Sequence, residues 1–261
     1  MVKSKKESYK KSDFNYNNEN EDAPPIPKTL AITMIGVFAA ITIVLALAPL
    51  PNIGFVNLTA VIETIAATAG STGFLGAFGV TMGSFIYNMY KPSSLFLQAG
   101  FLTMASGAFF ITMLMYRKAL ISAMYGLILL GLFFLAPGNI HVPMWALWDK
   151  YIAILLVIPA VSLVRKTFCE ELNTKYLFPT IFLISFIGLE IDAMMGNLMF
   201  GLYGYNILGM TAKAVGDMYI PFAFAAAWER IIVAFISTLV TVPLVIAIDK
   251  NPKLRWLIHR E

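Results

Sequence analysis

The chain has 261 residues, 59% of them hydrophobic and only 13% charged, with a formal net charge of +4 and a mean hydropathy of +0.75. A soluble domain is about 45–50% apolar and about 25% charged, and a single water-soluble core stops growing before it could absorb such an excess. A disordered chain, a basic nucleic-acid-binding domain and, with Cys169 the one cysteine, a disulfide scaffold are all excluded. What remains is an integral membrane protein of the all-α class, because a helix satisfies its own backbone in lipid.

Residues 1–28 open with Lys3, Lys5, Lys6, Lys10 and Lys11, continue through an Asn/Glu run, and end in Pro24, Pro25 and Pro27. With no apolar area to bury, they read as a disordered cytoplasmic tail. Apolar stretches follow at 29–48, 56–70, 73–90, 95–116, 119–136, 146–164, 178–202 and 220–248. A helix needs roughly 20 apolar residues to cross the hydrocarbon core, so the 56–70 stretch is short and reads as tilted or partly re-entrant. The layout predicted is a polytopic transmembrane helix bundle of six to eight spans over 29–249, followed by a basic cytoplasmic tail at 250–261. The first run ends in Ala46-Leu47-Ala48, like a signal-peptide cleavage site, but its long polar leader and its length favour a retained helix.

The positive-inside rule tests that layout. With the N-terminus inside and eight alternating spans, 15 of the 19 basic residues fall on the cytoplasmic side, against Lys91, Lys150 and Lys213 at the outer surface, with Arg230 inside a span. Seven spans would put the C-terminal basic cluster on the wrong side.

Several chemistries are missing. There is no G-x-x-x-x-G-K-[ST] loop for ATP and no H-E-x-x-H. No Cys/His cluster could hold a metal. His141 and His259 fall on opposite sides of the membrane in this layout. No nucleophile or acid–base set marks an enzyme, and no cofactor is implied. Uphill transport by ATP hydrolysis would need a separate ATPase.

Ionisable residues within spans are expensive and therefore functional candidates. They are Glu63, Glu190, Asp192, Glu229 and Arg230. At 1.5 Å per residue, Arg230 and Asp192 lie about 15–16 Å below the outer surface, and Glu63 and Glu229 about 10–14 Å. Two readings stand side by side: an arginine–carboxylate pair locking the last helices together, or a pocket open to the outside. The predicted outer face carries Tyr87, Asn88, Asn139, Trp145, Trp148, Tyr203 and Tyr219 beside the uncharged loop 49–57. Aromatics there form an interfacial belt or, mixed with Asn and Asp, a pocket for a flat polar solute. The residues chosen for such a pocket are Asn57, Glu63, Asn88, Trp145, Asp192, Tyr203 and Arg230. Gly70, Gly73, Gly76, Gly79 and Gly83 recur at spacings of three and four, as do Gly36 and Ala40 in the first span; such faces let helices approach closely in lipid, within the chain or against a partner.

The run from Val37 to Pro49, the loop ending Phe55-Val-Asn-Leu, the Gly-rich stretch from Gly70 to Asn88, and Pro221-Phe-Ala-Phe-Ala-Ala-Ala-Trp-Glu229-Arg230-Ile-Ile together resemble the substrate-binding S components of energy-coupling-factor (ECF) vitamin transporters. That resemblance implies a prokaryotic cell-membrane protein that captures a scarce vitamin-like solute from outside, in a pocket capped by the loop after the first helix. It also implies a transmembrane coupling subunit and two cytoplasmic ATPases as partners. The family's Ala-x-x-x-Ala docking face on the first helix is only partly reproduced here by Gly36-x-x-x-Ala40, with Val44 next. The family core has six helices, so either two of the eight apolar segments do not cross or 95–164 carries an extra hairpin. Two other classes remain open: a secondary transporter using Glu63, Glu190 or Asp192 to bind a proton or cation, and a membrane enzyme or scaffold.

Overall fold

A computed structural model describes residues 28–47, 52–53, 56–57, 61–90, 99–168, 171–251 and 254–258. The polar tail expected at 1–28 lies outside these residues except for Lys28, as do most of the 49–57 loop and Lys91. Each of the eight apolar stretches contributes a helix: α1 (Lys28–Leu47), α2 (Val61–Ser71), α3 (Phe74–Tyr90), α4 (Phe101–Met115), α5 (Ala119–Leu135), α6 (Trp148–Leu155) continued by α7 (Val157–Thr167), α8 (Thr174–Asn206) and α10 (Ala225–Lys250). Between α1 and α2, β1 (Asn52–Ile53) and β2 (Val56–Asn57) form a two-residue antiparallel hairpin that sets Asn52 opposite Asn57. The protein is an all-α bundle.

Among the described residues, four helical stretches are long and apolar enough to cross a membrane: α1, Met144–Thr167, α8 and α10. α4 and α5 are equally apolar but have 15 and 17 residues. α2, with 11 residues, is about 16 Å long and almost wholly buried, which fits the short segment anticipated at 56–70. One helix was not anticipated, α9 (Ala212–Tyr219). Thr211 caps it, its hydroxyl accepting from the Ala214 N–H at 3.1 Å, as short polar residues do at helix starts.

Close backbone approach at glycine sets the helix order. A Cβ on Gly79 would lie 2.8 Å from the Ile35 carbonyl oxygen, and one on Gly83 would lie 2.6 Å from that of Ala39. α1 and α3 therefore pack side by side and run the same way. A Cβ on Gly70 would meet the Ala108 carbonyl at 2.6 Å, joining α2 to α4; one on Gly107 would meet the Gly188 carbonyl at 2.9 Å, joining α4 to α8 in the opposite direction. The Gly-rich stretch is thus internal packing. Gly36 and Ala40 instead face outward on α1, where a Cβ on Gly36 would meet nothing within 4 Å. Thr42 is the one buried residue of α1.

Two tight turns fix the direction changes. Gly73, at φ +96°, reverses the chain between α2 and α3 in a conformation glycine adopts without strain. α4 ends with Arg117 at φ +59°; its N–H reaches the Leu114 carbonyl at 2.9 Å, and that of Lys118 reaches Met113 at 3.1 Å, the Schellman closure of a helix. A non-glycine residue rarely takes this conformation. Here the guanidinium donates to the Phe168 carbonyl at 2.6 Å, holding the α4–α5 and α7–α8 turns together. Arg117, Lys118, Arg165 and Lys166 accordingly gather at one end of the bundle.

α8 is the central post. Leu177, Ile181, Ile184, Ile187, Ile191 and Met194 are fully buried along it, with Phe110 and Leu114 of α4, Phe133 of α5 and Val157 and Val164 of α7 in the same core. Leu257 and Ile258 also join this core, so the segment after Lys250 is anchored rather than a simple solvated tail. Gly70→Leu would drive a side chain into the α4 backbone and lower stability by about 1–3 kcal/mol. Gly36→Leu would leave it unchanged. Unfolding temperatures of the detergent-solubilised variants check both.

Candidate solute cavity and buried ion pairs

Five helices meet around a cavity of about 290 Å³, at the small end of ligand sites, which span about 300–1,000 Å³. Thr42 and Ala46 come from α1, Glu63 from α2, Ser84, Tyr87 and Asn88 from α3, Thr103 and Met104 from α4, and Asp192 from α8, with Gly100 at the entry to α4. These are the C-terminal ends of α1 and α3 and the N-terminal ends of α2 and α4. The cavity therefore lies at the end of the bundle opposite the Arg117 turn.

Helical geometry explains the polar lining. The hydroxyls of Thr42 and Thr103 donate to the backbone carbonyls of Phe38 at 2.7 Å and Gly100 at 2.8 Å, so hydroxyl residues sit on apolar helices without an unpaired donor. Asn88 Nδ2 donates to Ser84 Oγ, one turn earlier, at 3.3 Å.

Arg230 of α10 does not line the cavity. Its Nη1 donates to Glu63 Oε2 in an ion pair whose side chains are 15% and 21% exposed, while its Nε has no partner. The depth match with Asp192 predicted that those two residues could pair; instead Arg230 reaches Glu63, because α2 and α10 run alongside each other in the same direction. Thr68 and Thr241 hydroxyls meet at 2.8 Å, and Ser237 donates to the Thr64 carbonyl at 3.4 Å. Among the described residues, no lysine or arginine nitrogen lies within 4.0 Å of the Asp192 carboxylate.

The structure brings together three of the seven residues chosen from the sequence, Glu63, Asn88 and Asp192, with Arg230 behind the first. Trp145 is elsewhere: half-exposed, it stacks on Phe224 with ring centroids 6.5 Å apart, beside Trp148, whose indole N–H donates to the Ala223 carbonyl at 3.1 Å. Tyr203 lies eleven residues beyond Asp192 on the same straight helix, about 16 Å further along, and is also absent from the lining. Asn57 is placed only as a hairpin residue; its side chain lies outside the description. Thr42, Ser84 and Thr103 were not anticipated, since a threonine or serine bonded back to its own helix looks the same in sequence whichever way it faces.

A second ionic centre was also missed. Lys150, assigned to the outer surface, is 3% exposed. Its ammonium donates to Asp149 Oδ2 at 2.8 Å and to Glu190 Oε2. Asp149 also accepts the Lys150 backbone N–H at 2.9 Å. Glu190 is fully buried and its Oε1 has no partner. Toward the same end, the Tyr219 hydroxyl of α9 donates to the Asn197 carbonyl at 2.8 Å, and burial pushes this phenol above its ordinary pKa, keeping it a donor. Among the described residues, no three His, Cys, Asp or Glu side chains come together as a metal site.

No family model, curated protein or solved structure matches the chain. Removing one partner of a buried ion pair leaves an uncompensated charge and costs about 3–5 kcal/mol, whereas replacing both costs much less. Arg230→Met should therefore destabilise by about 3 kcal/mol, and adding Glu63→Gln should restore most of that loss. A double-mutant cycle on unfolding temperature is the check.

Proposed function

We propose that this chain is the membrane-embedded substrate-binding subunit of a micronutrient uptake transporter, a multi-pass protein of a prokaryotic cell membrane. The cavity carries the proposal: a closed apolar bundle has no packing reason to gather Glu63, Asn88, Thr103 and Asp192 around empty space. The positive-inside rule assigns the end carrying Arg117 and Lys118 to the cytoplasm, which turns the cavity toward the outside. The sequence carries no ATP-binding loop, so uptake driven by ATP hydrolysis takes its energy from separate ATPases, which the resemblance pairs with a transmembrane coupling subunit. The chain is not itself an enzyme. The outward face of α1, with Gly36, Ala40 and Val44 exposed, is the surface offered to that subunit and to lipid.

A second reading, a secondary transporter, draws support from the Lys150–Asp149–Glu190 centre, with its unpartnered carboxylate oxygen. The two readings differ in what the chain does alone. Reconstituted without other subunits, a capture subunit binds solute but accumulates none, whatever the proton or sodium gradient; gradient-driven uptake by the chain alone would replace the first reading with the second. Native mass spectrometry of the purified protein should find a small molecule retained. Filling the cavity with Thr103→Leu should lower its retention about tenfold, the equivalent of one lost polar contact with its steric cost, with unfolding temperature unchanged.

A further inference from the structure

We infer that the solute is a small organic cation whose positively charged nitrogen sits against the Asp192 carboxylate. This rests on the capture reading above and adds the chemical class of what is captured.

The charge inventory is the first support. Both charged side chains in the cavity wall, Glu63 and Asp192, are acids. The two buried cations nearby are committed elsewhere: Arg230 to Glu63, and Lys150, across α8, to Asp149 and Glu190. Asp192 is 4% exposed, so water screens it little. A carboxylate so enclosed is stabilised by a positive partner in hydrogen-bonding contact, and the protein supplies none within 4.0 Å among the described residues.

The neutral lining points the same way. Thr42 has given its single hydroxyl hydrogen to the Phe38 carbonyl, which leaves only lone pairs to face a ligand. The Thr103 hydroxyl is shared between the Gly100 carbonyl and the Asp192 carboxylate, a neutral partner that leaves the charge of Asp192 unbalanced. One N–H of the Asn88 amide goes to Ser84, leaving the amide oxygen as an acceptor beside its second N–H. Tyr87 adds an aromatic ring, whose face attracts cations. A wall whose charged groups are both acids, one of them outside any ion pair among the described residues, suits an ammonium donor and repels a carboxylate or phosphate. A divalent metal ion is a poor alternative, because among the described residues the cavity has one carboxylate outside an ion pair, where such ions take several oxygen ligands.

The test uses the full-length protein in detergent and two probes: the fractions of a small-molecule cell extract that bind to, or flow through, a cation exchanger. The bound fraction should raise the unfolding temperature and the flow-through should not. The active component, isolated by mass spectrometry, should bind Asp192→Asn at least about tenfold more weakly while the solute-free unfolding temperature stays the same. Stabilisation by the flow-through alone, or equal affinity for Asp192→Asn, overturns the cationic class and leaves capture standing. Stabilisation by neither fraction overturns both. Should Asp192→Asn fail to fold, the comparison of the two fractions on the unaltered chain decides alone.

Discussion

A charge placed inside an apolar helical bundle must be answered by another charge, because neither lipid nor hydrocarbon side chains can replace its hydration. The centre of this protein is organised by that demand. α8 carries Glu190 and Asp192 two residues apart, and at 3.6 residues per turn they point about 160° away from each other. Glu190 turns toward α6, where Lys150 meets it; Asp192 turns toward the cavity, where, among the described residues, no lysine or arginine nitrogen comes within 4.0 Å. Arg230 satisfies Glu63 and so ties α10 to α2, the short helix whose position shapes one wall of the cavity. One acid is thereby closed off within the fold, a second is neutralised at its edge, and a third is left open to a visitor.

Glycine supplies the complementary constraint. With side chains at Gly70, Gly79, Gly83 and Gly107, α1, α2, α3, α4 and α8 could not come close enough to surround a space only a few residues wide. In lipid, where burying apolar surface gains little between helices, such close packing is itself a source of cohesion. Rigid walls and an unanswered carboxylate are jointly what a selective site needs.

Much of this was legible in the residues. Every apolar run became a helix, because twenty-odd residues that cannot face water have few other backbone solutions, and the basic clusters at Arg117 and Arg165 came together at one end. Counting 1.5 Å per residue put Arg230 and Asp192 at one depth and Glu63 with them in the outer half of the bundle. It could not reveal which acid Arg230 would choose, since depth along the axis says nothing of which helices are neighbours; that was decided by the packing of α2 against α10. Lys150 was misplaced for a related reason. Its position near a predicted helix end read as surface, but its long side chain reaches inward to Glu190, and sequence spacing carries no direction for a flexible ammonium. Trp145 and Tyr203 look like pocket residues by type, and type alone does not distinguish a ring stacked on Phe224 from one lining a cavity.

The unequal lengths of the helices bear on the surrounding lipid. α8, with 33 residues, is about 50 Å long, whereas α4 and α5 reach only about 22 and 26 Å, less than the roughly 30 Å of hydrocarbon in an ordinary bilayer. Lipid beside the short helices must therefore thin to avoid exposing its tails, at a cost of fractions of a kcal/mol per Å of mismatch. α4, mostly buried, is also a wall of the cavity, so one of the short helices bounds the site. Under the capture proposal, a solute arriving from water would reach Asp192 with less hydrocarbon around it than the residue's depth along α8 implies.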